Sequence, residues 1–222
     1  MIERVLEPEA MDTMEDALEY DSMDFSDVNT AFAERALELL PERGVVLDLG
    51  TGTSRIPLLM LERNPNLTVI AVDLSENMLK LGKLNIERTP FTLNVILQRV
   101  DAKQLPFIEN YFDAVISNSL LHHIADPTQV LIEINRVAKS NAGILIRDLI
   151  RPATSGQAEA FVELYAGYCD DHQKKLYRDS LGAAFMISEV EELVRKSELK
   201  NVRVVQSSDR HWSIEKDHSR QS

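Results

Sequence analysis

Ten residues constrain this chain more than any others: Val45-Val46-Leu47-Asp48-Leu49-Gly50-Thr51-Gly52-Thr53-Ser54. They read as a short apolar strand that ends in an acid and runs into a glycine turn. Two glycines there let the backbone approach a ligand where any Cβ would clash. A strand–turn–helix of this kind is where open α/β sheets bind nucleotides, outside the carboxyl ends of their strands. The acid narrows the ligand. Dinucleotide sites set pyrophosphate at this turn, beside the amide donors of the helix N-terminus, and a carboxylate would repel it. The dinucleotide fingerprint also fails on spacing, because G-x-G-x-x-G needs glycine where Arg55 stands. The turn suits a nucleoside that carries positive charge.

From there strands and helices alternate. Residues 45–49 are a predicted strand, 55–63 a helix with Pro57 in its first turn, and 68–72 a strand. Ser75 caps a predicted helix to Arg88, and 93–100 and 113–117 are strands. Asp126-Pro127, a cap followed by proline at the first helical position, opens a helix through Lys139 before a strand over 143–149. Such alternation predicts an α/β fold with a parallel sheet and helices on both faces. Ahead of it, helices are expected over 12–20 and 28–40, the second stopped by Pro41. Behind it, residues 151–187 carry helical pattern over 157–168 and 171–183. Ser188 and Glu191 fit an S-x-x-E capping box for a helix to about Ser197. Strands over 201–206 and 209–214 are close enough to form an antiparallel hairpin, with 217–222 a frayed tail. At 222 residues, one domain over 1–222 is expected.

Composition excludes some partners. A formal net charge of −12 argues against phosphate-backbone recognition, so nucleic acid is not expected. The single cysteine, Cys169, allows no internal disulfide and fits a reducing compartment. No apolar run is long enough to span a bilayer and the acidic N-terminus is no signal peptide, so a cytoplasmic protein is expected.

Four further segments follow in order: Val69-Ile70-Ala71-Val72-Asp73, Asp101-Ala102, Phe112-Asp113-Ala114-Val115-Ile116-Ser117-Asn118-Ser119, and Leu120-Leu121-His122-His123-Ile124-Ala125-Asp126-Pro127. With the glycine turn they resemble the class I S-adenosylmethionine-dependent methyltransferases over about residues 42–150. The Leu-His-His segment is similar to the small-molecule branch that includes the quinone-biosynthesis methyltransferases. The resemblance implies a Rossmann-like, mostly parallel seven-stranded sheet with helices on both faces and an antiparallel C-terminal hairpin strand. It also implies an N-terminal helical lid over 1–40 and a helical substrate-side insertion over 151–187. S-adenosyl-L-methionine is the implied cofactor. Its expected contacts are Asp48, Gly50, Thr51, Gly52, Asp73, Leu74, Met78, Asp101, Ala102, Asn118, Ser119 and, from the lid, Tyr20. Asp73 would accept from both ribose hydroxyls, Asp101 from the exocyclic amine, and Met78 would lie against the adenine face. Ser54 stands where the family has its last glycine.

The implied reaction is methyl transfer to a small molecule. A sulfonium is already an activated leaving group, so alignment of nucleophile, methyl and sulfur carries most of the catalysis. A base is needed only for a protonated nucleophile. His122 and His123 are the candidates, with a structural or substrate-shaping part as the alternative. Arg147 interrupts the apolar Ile144-Leu145-Ile146 run. It would hold an anionic substrate group with Arg151, or else an internal ion pair with Asp148, Asp21 or Asp24. Tyr165 and His211 complete the expected substrate contacts. No metal-ligand set is legible around Asp148, so no metal is expected. The alternative to an enzyme is a non-catalytic cofactor-binding regulator or scaffold.

Overall fold

The computed structural model describes residues 2–7 and 13–219. Its centre is β1 (Gly44–Leu49), which pairs in parallel with β2 (Leu67–Asp73) on one side and β4 (Phe112–Asn118) on the other. β3 (Val95–Arg99) extends the sheet beyond β2, and β5 (Ala138–Leu149) extends it beyond β4, both in parallel. β6 (Arg203–Gln206) and β7 (His211–Lys216) form the expected hairpin, with β7 antiparallel to β5. The order is β3-β2-β1-β4-β5-β7-β6. Chain direction along the sheet reverses between β1 and β4, which opens a crevice at their carboxyl ends.

Alternate side chains of one strand go to opposite faces. Val46 of β1 joins a core with Phe32, Ala36, Met60 and Leu61, from α2 (Ser26–Leu39) and α3 (Arg55–Arg63). Leu47 and Leu49 join the opposite core, with Val130 and Ile134 of α5 (Thr128–Val137) and Val190 of α8 (Ile187–Lys196). Burying a side chain such as Phe32 stabilises by about 1.5–3 kcal/mol. That corrects the lid expected over 1–40. α2 is a core element, while α1 (Met14–Ser22) packs through Ala17 on Met78 and Leu81 of α4 (Glu76–Glu87).

Several boundaries move for local reasons. Thr13 Oγ1 accepts from Asp16 N at 3.0 Å, so α1 starts at Met14; residue 12 of the expected helix lies outside the described residues. Asp126 accepts from Thr128 N at 3.0 Å, so Pro127 precedes α5 instead of opening it. α5 stops at Val137 because Ala138 already pairs with Phe112, and the ladder resumes at Ala114 and Gly143 after a register shift. The expected box at Ser188 and Glu191 is replaced. Met186 precedes α8, and its N–H donates to Glu189 Oε2 at 2.8 Å. The expected frayed tail is tied down through residue 219, since His218 N donates to Leu39 O and Ser219 N to Asn141 O. The insertion over 151–187 holds α6 (Ser155–Ala166) and α7 (Asp171–Ala183).

Candidate active site

The crevice holds a chamber lined by Gly50, Gly52, Asp73, Leu74, Met78, Asp101, Ala102, Asn118 and Ser119, closed from α1 by Tyr20. The turn after β1 makes it possible. Gly50 and Gly52 have φ of +69° and +56°, which side-chain-bearing residues rarely adopt. A Cβ on Gly52 would point at Tyr20, 3.7 Å from its ring. Thr51 and Asp48, both expected cofactor contacts, lie behind the lining. Thr51 N donates to Val72 O at 2.9 Å and so fixes the turn to β2. Ser54 occupies the left-handed region at φ 62° and is fully buried. Its room comes from Gly82 in α4, where a Cβ would stand 2.7 Å from Ser54 Oγ.

Asp73 is held by backbone donors: Oδ2 accepts from Gly52 N and Oδ1 from Ser75 N, both at 2.8 Å. Each oxygen keeps a lone pair for a ligand hydroxyl. Burial pushes its carboxyl above the usual range despite those donors. Asp48 is 2 % exposed, and burial together with Asp73 pushes it up to about 7. Two buried carboxylates give this end a field that favours a cation. Tyr20 stays a neutral phenol, pushed to about 12 by burial and then by Asp73. α1 is tethered through Asp21, whose Oδ2 lies 3.0 Å from Arg55 Nη2.

The two histidines differ. His123 lines the chamber, whereas His122 is 3 % exposed behind it. His122 Nδ1 lies 2.6 Å from Asp148 Oδ1, its backbone N–H donates to Asp148 Oδ2 at 3.0 Å, and its Nε2 lies 3.1 Å from Glu7 Oε1. Burial opposes its charge, yet Asp148 and then Glu7 raise it to about 9. A ring fixed at both nitrogens is no free base, so of the expected pair only His123 stands where a substrate proton could be taken. Its Nδ1 lies 3.2 Å from Glu7 Oε1. Glu7 belongs to an N-terminal strap that Arg4 anchors. Arg4 donates to the carbonyls of His122, Ile124, Ala125 and Ala183 at 2.6–3.1 Å, and its guanidinium lies 3.7 Å from the centre of the Phe185 ring.

The expected substrate residues do not line the chamber. Arg147 makes none of the three ion pairs weighed for it among the described residues. It donates to Asn118 Oδ1 at 3.0 Å and Val28 O at 2.9 Å, with Phe32 beneath it. Burial, then Arg210, brings it down to about 10. It opens instead on a second cavity of about 430 Å³ between α2 and the β5-β7-β6 face, shared with Arg35, Arg203, Ser213 and Glu215. Arg151 is taken by Glu189 at 2.7 Å and by Ala184 O. His211 is pushed down to about 3 by burial and by Arg147, so it is neutral at any working pH. Tyr165 donates to Asp209 and carries the Arg210 guanidinium over its ring at 3.2 Å. Sequence reasoning missed Val72, Ser75, Val100, Leu120 and Ile124 in the lining. Each of the five adjoins a residue it had singled out. It missed Arg4 and Glu7 with no signal to find them.

Comparison with known proteins agrees with this geometry. A methyltransferase-domain family model matches residues 47–146. A ubiquinone/menaquinone biosynthesis C-methyltransferase of Desulfotalea psychrophila is 36 % identical over 128 residues, covering 58 % of this chain and 50 % of the relative. A demethylmenaquinone methyltransferase of Thermotoga maritima is 30 % identical over 131 residues, covering 57 % and 54 %. The chain thus spans about half the length of the curated relatives it matches. A candidate S-adenosyl-L-methionine-dependent methyltransferase structure from Methanococcus maripaludis shares the fold with a TM-score of 0.72 at 16 % identity, over 98 % of this chain and 99 % of that one.

Proposed function

We propose that this chain, whose residues 47–146 match a methyltransferase-domain family and which is similar to quinone-biosynthesis C-methyltransferases, is a class I S-adenosylmethionine-dependent methyltransferase that transfers the cofactor's methyl group to a small-molecule acceptor. One observation carries the reading: four separate strand ends deliver Gly50 and Gly52, Asp73, Asp101, and Asn118 to one chamber. The nucleoside lies along Asp73, Met78 and Asp101. The sulfonium faces the turn at Gly50 and Gly52, with Asp48 and Asp73 supplying negative potential. Asn118, Ser119 and His123 border the methyl side, where the acceptor enters. Most of the rate then comes from alignment, and displacement of a sulfonium needs no acid for the leaving group. His123 serves as base where the acceptor is protonated.

The acceptor class to try first is a ring carbon activated by oxygen substituents, as the names of the relatives suggest. An anionic acceptor would meet Arg147 through the second cavity and its partner Asn118. α1 acts as the cofactor-side lid and α6 and α7 as the acceptor-side cover. Nucleic acid does not fit a chain of net charge −12. Among the described residues no helix is long and apolar enough to cross a membrane.

Calorimetry of ligand-stripped protein with S-adenosylmethionine and S-adenosylhomocysteine tests this, beside Asp73→Ala. Micromolar binding that falls at least about a hundredfold in the variant, about 2.7 kcal/mol, is the expected result. Folded protein that binds neither ligand would remove the reading.

A further inference from the structure

Glu7, His122 and His123 stand together beside the chamber, and methyl transfer as derived above does not use them as a set. Glu7 Oε1 lies 3.1 Å from His122 Nε2 and 3.2 Å from His123 Nδ1, and the three ligand atoms all fall within 4.8 Å of one another. We propose that these three side chains form a site for a divalent first-row transition ion, with Zn²⁺ the best fit, at the acceptor end of the chamber.

The spacing is what a shared ion needs. Two donors each about 2.0–2.1 Å from a tetrahedral Zn²⁺ stand about 3.3–3.4 Å apart. Orientation agrees as well. Asp148 Oδ1, 2.6 Å from His122 Nδ1, fixes the ring so that Nε2 faces Glu7. That is the outer carboxylate through which metal-binding histidines are fixed. The two carboxylates favour the charged ring, so the proton between His122 Nε2 and Glu7 is the one an incoming ion displaces. Two carboxylates, Glu7 and Asp148, match the charge of a dication. Two histidines and one carboxylate leave coordination positions open, and because His123 lines the chamber, those positions open into it.

The arrangement is also held before any ion arrives. Ser180 Oγ reaches Glu7 Oε2 at 3.4 Å, and Arg4 pins both the strap and the loop that carries the histidines. An ion there would take an oxygen of the acceptor and lower that oxygen's pKa, replacing the base role of His123, whose Nδ1 it occupies, and would set the neighbouring nucleophilic atom toward the methyl group. This use of the ion rests on the methyl-transfer reading; its binding does not.

The full chain is freed of metal with a chelator and titrated with Zn²⁺ by calorimetry, with elemental analysis after desalting and Co²⁺ absorption as a second readout. One ion per chain is expected, with Co²⁺ bands of a four-coordinate nitrogen–oxygen site. Glu7→Gln and His123→Ala should each weaken binding more than about tenfold, since loss of outer partners alone weakens such sites by that much. Circular dichroism establishes that each variant is folded, and a variant that is not folded is replaced by Glu7→Ala or His123→Gln. No stoichiometric ion in the parent protein, or equal uptake by both folded variants, overturns the proposal. S-adenosylmethionine is titrated into the same metal-free protein. Cofactor binding without metal binding sinks the ion site alone, and metal binding without cofactor binding sinks the methyl-transfer reading alone.

Discussion

The two ends of the chamber are built in different ways. Its cofactor end is made of loops that directly follow β1, β2, β3 and β4, and nearly every lining residue lies within a few positions of a strand end. The other end, where His123 and Ile124 line it, is backed by remote pieces: residues 4–7, the 122–125 loop, and 180–185 meet across separations of up to 179 positions. Local pieces hold a shape that a single substitution can destroy by steric means. Remote pieces depend on hydrogen bonds between segments, and they should loosen before they collapse.

Gly52→Val tests the cofactor end most severely. A β-branched residue at φ +56° is strained by about 1–2 kcal/mol, and its side chain would project toward Tyr20. S-adenosylmethionine affinity should drop on the order of a hundredfold or more, about 2.7 kcal/mol, while hydrogen exchange at 122–125 stays unchanged. An affinity within threefold of the parent would mean the turn is not the contact surface.

Arg4→Ala probes the other end. It strands carbonyls of His122, Ile124, Ala125 and Ala183, at about 1–3 kcal/mol for each one left buried without a partner. Water will satisfy some of them, so a loss of about 2 kcal/mol in stability is expected, with faster exchange at 122–125 and 183–185. Cofactor affinity should move less than threefold; an equal loss there would erase the contrast between the ends.

Asp48 gives the cofactor end a pH signature. Its carboxyl is pushed up to about 7 by burial and by Asp73, and a bound sulfonium favours the ionised form. Affinity for S-adenosylmethionine should therefore rise roughly tenfold per pH unit below 7 and level off above it. S-adenosylhomocysteine, with a neutral sulfur, should show a weaker trend, and identical curves would separate Asp48 from the sulfur. Stability runs the opposite way. The folded pKa exceeds the unfolded value, so the contribution of neutral Asp48 is complete below about pH 4 and fades as pH rises through about 7.

The smallest effect belongs to Ser54. Ser54→Gly relieves a left-handed residue by up to about 1 kcal/mol, less its packing on Gly82. Gly82→Ala should destabilise the parent, because its Cβ would lie 2.7 Å from Ser54 Oγ, and should do so less in the Ser54→Gly background. Additive losses in a thermal-melt double cycle would uncouple the two positions.

The same contrast explains what the sequence made legible. Gly50, Gly52, Asp73 and Asp101, which the structure brings to one chamber, were legible because strand ends and turns are written in adjacent letters. The sheet followed from the alternation of strands and helices. The ion pairs weighed for Arg147 are replaced by neutral partners, Asn118 and Val28 O, and a charge in a sequence gives no hint that an amide will answer it. Asp148, weighed as a partner for Arg147, went to His122 on the neighbouring loop instead. Glu189 displaced Glu191 as the cap acceptor of α8, and it also meets Arg151, a contact across 38 positions. The strap carried no pattern at all, since its meaning lies in segments that folding brings to it.

That strap has a consequence for the order in which the protein can fold. Arg4 bonds to Ala183 O, so its contact closes a loop of 179 positions. Closing such a loop is entropically expensive and is rewarded only once both shores exist. Residues 44–118, by contrast, can pair strand by strand through short crossovers. The nucleoside chamber is then the early product of folding and the acceptor's entrance the late one, and the last bond tied is made by one of the first residues described.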